Sequence, residues 1–517
     1  MRTGLRHIRR LVGVFRTLAR HDALFVFTRL GVPRTPLTLA TLLLLVRRDR
    51  EFRNKSEGER LSAALTALGP AYVKVGQSLS VRPDLIGHTL AEALTGLQDR
   101  LPPFDGTEAR AAIEAELGDT VDALYASFEN DAVAAASIAQ VHRATTPDGD
   151  TVAVKVLRPG IEAAFARDLE LARWGAGLVE RHRPDLRRLR PVDAINTIIR
   201  SVEMEMDLRF EAAAADELRQ NFADEPLFSV PSVDWQRTGR RVITLEWVDA
   251  TPINEIGTGD ADDLDREEIV ANFAKVFFLQ VFRDGFFHAD LHPGNIFIDK
   301  DGAVHVVDFG IMGRLDKRTR QYLAEMLHGF LTGDYRRVAD VHIRAGYVPV
   351  DQSADEFAQA ARSIAEPILG LPLGEISLAR LLQQLFAVTE KFEMEAQPQL
   401  LLLQKTMLVA EGVGRRLFPS VNMWELARPL IEDWMRENMG AEARMRDAVD
   451  DLLDGLERLP RLIGEMGDSL GSMSRNGLKI DPASLESFAA AQRAGRSRWP
   501  VWALGAAAVV ILAVLLN

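Results

Sequence analysis

The stretch that most constrains this chain is residues 287–310, FHADLHPGNIFIDKDGAVHVVDFG. It contains two apolar runs that flank a Lys-Asp-Gly turn, a pattern that predicts a tight β-hairpin. A hairpin brings the outer ends of its two strands together, so we expect Asn295 and Asp308 at the same open end. Amide and carboxylate oxygens are ligands that Mg²⁺ accepts in proteins. The stretch therefore predicts a divalent-metal site.

Phosphoryl transfer needs a lysine on the phosphates, oxygen ligands for a metal and a carboxylate near the attacking oxygen. Lys155 in VAVKV lies on a predicted strand, where its neighbours point to the core and its ammonium points into a cleft. Asp290 and Asn295 have the spacing of kinase catalytic loops, in which the aspartate handles the proton of the nucleophile. We therefore predict Asn295 and Asp308 as Mg²⁺ ligands and ATP as the phosphoryl donor.

Two histidines of the same loop, His288 and His292, leave a metalloenzyme as an alternative. Histidine ligands need a third donor in a suitable place. The aspartate and asparagine of the loop already explain an oxygen-ligated magnesium ion. The sequence therefore favours phosphoryl transfer.

The spacing of the apolar residues changes along the chain and predicts two lobes. Residues 141–159 read as strand, turn and strand with alternate valines on one face, and residues 240–250 read as a further strand. Helical spacing dominates before this region and from about residue 265 onwards. This order predicts an α+β, bilobal protein-kinase-like fold with a nucleotide cleft between the lobes.

Six segments follow from these changes in pattern. They are a basic, amphipathic membrane-proximal region (1–60), an N-terminal helical extension (61–130), a kinase-like N-lobe with inserted helices (131–250), a helical C-lobe with the catalytic loop (251–445), a linker (446–498) and a C-terminal transmembrane helix (499–517). The adenine is expected against the strand TLEWV, where the backbone of Glu246 and Val248 offers a hydrogen-bonding edge.

Composition and charge limit the chemistry and the partners that this chain can have. The 517 residues include no cysteine, which excludes disulfides and thiolate metal sites. Although the net charge is −12, residues 1–60 carry 14 Lys and Arg against 5 Asp and Glu. This basic segment has apolar runs between its arginines and no nucleic-acid-binding motif, so it favours a membrane surface over nucleic acid. A basic surface on ordinary buried helices is the alternative.

The last segment, WPVWALGAAAVVILAVLLN at 499–517, has no charged residue and predicts one transmembrane helix. Its two tryptophans suit the membrane interface, and three preceding arginines favour a cytoplasmic flank. We therefore expect a single-pass protein of the bacterial inner membrane whose catalytic domain faces the cytoplasm. The small residues of Gly505–Ala508 favour close helix approach and hence a homodimer. A buried core helix is the alternative.

Several motifs together match a known family. KVGQ at Lys74–Gln77 matches a KxGQ motif, AAASIAQVHRA at 134–144 an alanine-rich loop and EMD at Glu205–Asp207 an ExD motif, while HADLHPGN and DFG complete the set. In these motifs, over roughly residues 30–440, the chain resembles the UbiB (AarF-domain) family of atypical kinase-like proteins, which is involved in ubiquinone biosynthesis. Aminoglycoside and choline kinases share the H-x-D-x-H-P-x-N loop but lack KxGQ and the alanine-rich loop.

Alanine stands here where kinases commonly have glycine in the phosphate loop. Glycine permits positive φ and close backbone approach, whereas the methyl group of alanine disfavours both. The resemblance implies altered nucleotide selectivity and suppressed protein phosphorylation, although the run also reads as a helix start. The predicted ATP-binding residues are Val133, Ala134, Ala135, Ala136, Ser137, Ile138, Ala139, Gln140, Val141, Lys155, Glu246 and Val248.

On one helix through 195–220, Glu205 and Glu211 would lie about 240° apart and would face different partners. The resemblance implies that Glu211 pairs with Lys155. It also implies a regulatory contact between the extension and this helix, made by Lys74, Gln77, Glu205 and Asp207. The predicted catalytic residues are Lys155, Glu211 and Asp290. A solvated acidic helix face is the alternative.

These patterns predict an ATP-dependent phosphotransferase or ATPase of the atypical kinase class, and the resemblance implies a role in polyprenyl-quinone biosynthesis. The expected partners are ATP, membrane lipids, polyprenyl-quinone intermediates and membrane-bound enzymes of quinone biosynthesis. Two alternatives stay open: a true kinase of a protein or small molecule, and a nucleotide-switched module that binds or extracts lipid. A quinone-ring hydroxylase finds no support, since the sequence has neither a flavin fingerprint nor an iron-ligand set.

Overall fold

The computed structural model describes residues 2–440 apart from gaps, of which the longest are 81–85, 96–101, 183–190, 257–263 and 369–383. The helices before the first sheet are α1 (Arg2–Arg20), α2 (Phe25–Arg29), α3 (Arg34–Leu43), α4 (Glu57–Leu68), α5 (Pro70–Ser80), α6 (His88–Thr95), α7 (Gly106–Leu117) and α8 (Val121–Leu124). The chain continues with β1 (Ser127–Phe128), β2 (Ala134–Ala135), β3 (Ala139–Thr145), β4 (Thr151–Leu157), α9 (Ile161–His182), α10 (Pro191–Glu205), α11 (Leu208–Asn221), β5 (Phe228–Ser229) and β6 (Val242–Glu246). Of these strands, β5 pairs with the strand Val304–Val306 of the second lobe.

The second lobe is mainly helical. Its elements are β7 (Thr251–Pro252), α12 (Arg266–Phe278), a π-helix (Leu279–Asp284), β8 (Phe286–His288), β9 (Ile296–Ile298), β10 (Val304–Val306), β11 (Met312–Arg314), α13 (Lys317–Thr332), α14 (Tyr335–Arg344), α15 (Ala354–Ala365), α16 (Pro398–Leu417) and α17 (Met423–Met439). Residues Met1–Arg436 form one compact unit, and Glu437–Asn517 form a second.

A twisted antiparallel sheet in the order β1-β3-β4-β6, with β2 paired to β3, forms the first lobe. In β4 the alternate residues Val152, Val154 and Val156 are buried in the core, so Lys155 points to the opposite face. The chain turns between β3 and β4 at Gly149, whose φ of 98° suits a residue without a Cβ. The predicted strand, turn and strand are confirmed.

The single helix predicted through 195–220 is wrong, because the structure has two helices there. Helix α10 ends at Glu205, and α11 begins at Leu208. Asp207 lies between them in an extended conformation, and its carboxylate accepts a hydrogen bond from the Arg209 N–H at 3.2 Å. This N-cap contact satisfies an N–H of the first turn of α11 and stabilises the break. Glu205 and Glu211 therefore belong to different helices.

Small sheets hold the predicted catalytic loop in the second lobe. Strand β8 leads into the loop and pairs antiparallel with β11. Strands β9 and β10 form the predicted hairpin, with Ile298 opposite Val304. At the open end of the hairpin, the Val307 N–H donates to the Asn295 carbonyl at 3.0 Å. The hairpin prediction is confirmed, and it brings Asn295 next to the segment that contains Asp308.

Helix α5 of the extension packs into the first lobe. Its Ala71 lies in an apolar cluster with Ile138 of the alanine-rich loop and Phe165 of α9. Helix α1 is joined to α9 by an ion pair between Arg10 and Asp168. The extension is thus part of the folded unit, and the KVGQ sequence lies on its inner helix.

No helix in the described part of the chain is long and apolar enough to cross a bilayer. This finding contradicts the transmembrane part of the predicted fold class and the single-pass inner-membrane location that depended on it, and both are dropped. The predicted span 499–517 and the linker 446–498 lie outside the described residues. Apolar residues of helix α16, such as Leu403 and Val413, are covered by protein. An apolar run therefore does not by itself distinguish a lipid-covered helix from a protein-covered one.

Candidate active site

The centre of the site is an ammonium held by two carboxylates. The Lys155 Nζ lies 2.7 and 3.0 Å from the two carboxylate oxygens of Glu211 and 2.9 Å from Asp308 Oδ1. Glu211 on α11 has a side chain only 6% exposed, whereas the Asp308 side chain is 46% exposed. The lysine of the first lobe is thus tied to a buried helix residue and to the DFG segment of the second lobe.

Burial and charge move the pKa values of these three groups. Burial alone lowers the pKa of Lys155, but Asp308 and Glu211 more than offset this and raise it. Burial raises the pKa of Glu211 to about 7, against the opposing effect of Lys155. Desolvation also raises the pKa of Asp308, but the Lys155 ammonium outweighs it and leaves that pKa below its usual range. The lysine therefore favours ionisation of Asp308 more than of Glu211.

The raised pKa of Glu211 makes stability depend on pH. Because this carboxyl binds its proton more tightly in the folded state, its contribution is fully present below about pH 4.5 and is lost as pH rises through about 7. We expect the free energy of unfolding of the wild type, relative to Glu211→Gln, to fall by up to about 3 kcal/mol between pH 4.5 and 8. Urea titrations of both proteins across this range measure the difference. A difference that stays constant or grows with pH would contradict the assignment.

The catalytic loop is held by hydrogen bonds from its own histidine. The His288 Nε2–H donates to the Val307 carbonyl at 3.1 Å, and His288 Nδ1 accepts from the Asp290 N–H at 3.1 Å. Burial lowers the pKa of His288, which suits a neutral ring that donates and accepts. The Asn295 side-chain amide donates to the Asp290 carbonyl at 3.0 Å. Because both nitrogens of His288 already have partners, this histidine positions the loop.

The second histidine also acts within the loop. The His292 Nδ1 accepts from the Gly294 N–H at 3.0 Å and caps the short 3₁₀ turn that presents Asn295. Among the described residues, no group of three or more His, Asp or Glu side chains is placed to hold a metal ion. The histidines of this loop thus hold its conformation. The oxygens of Asn295 and Asp308 remain as candidate metal ligands.

The residues present fit a magnesium ion that is shared with a nucleotide. Mg²⁺ is commonly bound by one or two protein carboxylates or amides together with substrate phosphates, so a complete protein cage is unnecessary. Asp308 has a φ of 64°, a left-handed conformation that is uncommon outside glycine and is often found at functional sites. Its neighbour Phe309 is buried and packs on His288, with ring centroids 5.7 Å apart. These contacts hold the carboxylate at the cleft.

The alanine-rich segment connects β2 to β3, and its ends are joined by a backbone hydrogen bond. The Ala136 N–H donates to the Ala139 carbonyl at 2.8 Å. The Arg158 side chain donates from Nη2 to the Ala136 carbonyl at 3.0 Å and to the Pro102 carbonyl at 2.8 Å. The loop is therefore tied to the segment that leaves the extension, which limits the movement available for folding over a phosphate.

The predicted ATP-binding residues of this loop lie in different environments. Val133 and Ala134 are exposed, Ala135, Ala136 and Val141 are partly buried, and Ser137 lies outside the described residues. Ile138 and Ala139 are buried in the core of the lobe. The Gln140 side chain is buried, accepts from the Phe104 N–H at 2.9 Å and contacts His142. The side chains of residues 138–140 thus support the loop from its buried side.

The predicted adenine-binding edge lies at the end of β6. The Glu246 N–H donates to the Ser232 carbonyl at 2.9 Å, and the Glu246 carboxylate accepts from the Ser232 hydroxyl at 2.9 Å. The Val248 side chain is partly buried at the following position. The Glu246 N–H already has a partner. The predicted hydrogen bonds to adenine therefore involve the backbone of Val248 and the carbonyl groups of this edge.

The extension reaches the site through an ion pair between Lys74 on α5 and Glu205 on α10. The Lys74 charge also contributes to the lowered pKa of Asp308, after the larger effects of Lys155 and His288. Asp207 instead pairs with Arg209, and Gln77 lies one turn after Lys74 on α5. The structure therefore brings together Lys74 and Glu205 of the predicted regulatory set, while the Asp207 carboxylate caps a helix.

Three further residues at the site lie outside the sequence predictions. Gln280 in the π-helix is buried, and its Oε1 accepts from the His288 N–H at 2.9 Å. Lys405 on α16 has its Nζ 2.8 Å from Asp290 Oδ1. Arg158 holds the alanine-rich loop, as described above. Only Arg158, three residues after Lys155 on the same segment, could have been suspected from its position in the sequence.

Comparison with known proteins bears on this arrangement. Residues 96–342 match the model of the ABC1 atypical kinase-like domain, and residues 361–422 match that of the UbiB helical domain. A probable protein kinase UbiB from Marinobacter nauticus is 43% identical over 426 residues, which cover 82% of this chain and 78% of that protein. The chain belongs to the UbiB family.

Other relatives of this UbiB-family chain extend the comparison. A probable protein kinase UbiB from Pseudomonas putida is 40% identical over 509 residues, 96% of this chain and 92% of that protein. Among solved structures, the complex of Rv3197 with erythromycin from Mycobacterium tuberculosis is 27% identical, with a TM-score of 0.52 over 71% of this chain and 93% of that one. The kinase-like fold and the family predicted from the motifs are confirmed.

Proposed function

We propose that this UbiB-family protein binds ATP with Mg²⁺ in the cleft and hydrolyses it, or transfers its γ-phosphoryl group, in support of ubiquinone biosynthesis. Lys155 contacts the phosphates, Asn295 and Asp308 hold the metal, and Asp290 accepts the proton of the attacking oxygen. Mg²⁺, when bound, neutralises charge on the phosphate oxygens. Glu211 aims the lysine, since its carboxylate contacts the ammonium through both oxygens.

One observation carries this proposal. The Lys155 ammonium lies between Glu211 and Asp308, which come from different lobes, with all three contacts at 3.0 Å or less. Such a cluster is the arrangement that kinase-like phosphotransferases need to place a nucleotide between their lobes. Perturbed pKa values at a cleft are a further indication of a functional site.

We also propose lipid partners for the same protein. Residues 1–60 are strongly basic, and α3 exposes the side chains of Leu39, Leu42 and Leu43. Basic charge beside exposed apolar side chains favours contact with an anionic lipid surface. A lipid-soluble phenolic precursor of the quinone and the enzymes that act on it are the partners proposed with that surface, and a homodimer is the proposed assembly.

The test is phosphate release by the purified protein from ATP and Mg²⁺, with and without vesicles of anionic phospholipid and an alkylphenol that mimics a quinone precursor. We expect release that the vesicles and the phenol stimulate. Asp308→Asn should lower it about 100-fold, because a metal ligand loses its charge. Asp301→Asn, an exposed position in the turn of the same hairpin, is the matched control and should keep full activity.

Other outcomes point to the alternatives. Equal release by wild type and Asp308→Asn would rule out this site as the source of the activity. Nucleotide binding without release under every condition would favour a nucleotide-switched lipid module. Phosphorylation of a peptide or metabolite would favour a true kinase.

A further inference from the structure

Helix α16 brings a lysine to the catalytic loop from a different domain. The Lys405 Nζ lies 2.8 Å from Asp290 Oδ1, although the two residues are 115 positions apart. Lys405 falls within the part of the chain that matches the UbiB helical domain, 361–422, whereas Asp290 falls within the kinase-like match, 96–342. The helical domain thereby contributes a side chain to the centre of the site.

The helix that carries this lysine is held firmly. Leu403 and Ala410 are buried on α16, which packs against α12 and β11. Thr406, next to the lysine, is fully buried, and its hydroxyl donates to the Leu402 carbonyl at 3.0 Å. With the helix fixed through this face, the Lys405 side chain reaches Asp290. The contact with Asp290 is therefore set by tertiary packing and does not depend on a mobile surface residue.

The other cations of the site already serve other carboxylates. Lys155 is held by Glu211 and Asp308, and Lys74 is paired with Glu205. Among the described residues, Lys405 is the cation in contact with the Asp290 carboxylate. Both side chains keep about a third of their surface exposed, at 30% and 29%, so the pair borders the cleft and is open to a substrate.

We propose that Lys405 is a positioning residue for Asp290, an inference that rests on the proposed function. The ammonium holds Oδ1, which leaves Oδ2 to receive the proton of the attacking oxygen. As that oxygen forms its bond to the γ-phosphorus, the bond from phosphorus to the bridging oxygen of ADP breaks and the proton passes to Asp290. The ammonium next to the carboxylate keeps it aimed before transfer. The kinase-like domain is thus completed by the helical domain.

The absence of cysteine from the sequence allows a sharp test. Lys405→Cys introduces a single thiol, which 2-bromoethylamine converts into an ammonium side chain of nearly the length of lysine, whereas iodoacetamide leaves it neutral. We expect Lys405→Cys to lower kcat for ATP roughly 100-fold, the loss that a displacement of about 1 Å can cause, with KM within about 2-fold. Bromoethylamine should restore most of kcat, and iodoacetamide should not. Lys391→Cys, at an exposed lysine within the same helical-domain match, is the matched control for the reagents.

A second readout does not need turnover. Because Lys405 borders the cleft, bound Mg²⁺ and a non-hydrolysable ATP analogue should slow the alkylation of Cys at 405 several-fold and leave that at 391 unchanged. Full kcat in Lys405→Cys, or equal rescue by both reagents, would overturn the inference while leaving ATP turnover at the site intact. Absence of turnover in the wild type, with protection at 405 still observed, would instead overturn the proposed function and keep Lys405 at the nucleotide site. If the nucleotide analogue did not slow alkylation at position 405, Lys405 would lie away from the nucleotide site.

Discussion

Lys155→Met is expected to lower ATP turnover about 1000-fold and the free energy of unfolding by about 3 kcal/mol. The loss of turnover follows from the missing cation on the phosphates. The loss of stability follows from Glu211, which is 6% exposed and would stay buried without the ammonium that pairs with its carboxylate. Asp308 adds less to this cost because nearly half of its side chain reaches solvent.

A double variant separates the two effects. Lys155→Met combined with Glu211→Leu replaces a buried ion pair with apolar side chains, which is often neutral or stabilising. We expect it to recover most of the stability and none of the turnover. Urea unfolding at pH 8, above the pKa of about 7 of Glu211, measures the stability, and phosphate release measures the turnover.

An exposed ion pair provides the control for this cycle. Lys275 contacts Glu225 at 2.9 Å with half of its side chain in solvent, so Lys275→Met should change stability by less than about 1 kcal/mol. If Lys155→Met were as stable at pH 8 as this control, Glu211 would not be a buried charge that depends on the lysine.

Phe287→Ala is expected to destabilise the protein by about 4 kcal/mol. Phe287 is fully buried on β8, and its ring covers Gly313 of β11 so closely that a Cβ there would lie 2.1 Å from Cζ. Removing the ring leaves a cavity under the strand that leads into His288 and Asp290, so turnover should fall as well. Denaturant unfolding measures the loss. Phe210→Ala, at a position 59% exposed, should change stability by less than about 0.5 kcal/mol.

The same contact predicts a compensating pair. Gly313→Ala places a methyl group inside the ring of Phe287 and should cost about 2 kcal/mol by overpacking. Phe287→Leu in the same chain makes room for that methyl group, so the double variant should be more stable than Gly313→Ala alone. Additive losses in the double variant would show that the two residues do not share this space.

Residues close together in the sequence determined the parts that the motifs predicted well. The hairpin at Asn295–Asp308 and the position of Lys155 on β4 follow from turn residues and two-residue alternation, which act over a few positions. Loop spacing likewise predicts roles for Asp290 and Asn295, and these roles stay predictions. The pairing of Glu211 with Lys155 needed the resemblance to a family as well, since no local rule joins a strand to a helix 56 positions away.

Tertiary structure decided what local rules could not. The break at Asp207 ends a helix that apolar spacing alone would continue, because the aspartate side chain caps the next helix. The transmembrane prediction relied on the apolar character of one segment and not on packing, and no helix among the described residues is long and apolar enough to cross a bilayer. Lys405 meets Asp290 only because α16 packs across the second lobe. The sequence thus determined which chemical groups the site holds, and long-range packing determined which of them touch, because burial and ion pairing depend on neighbours that are distant along the chain.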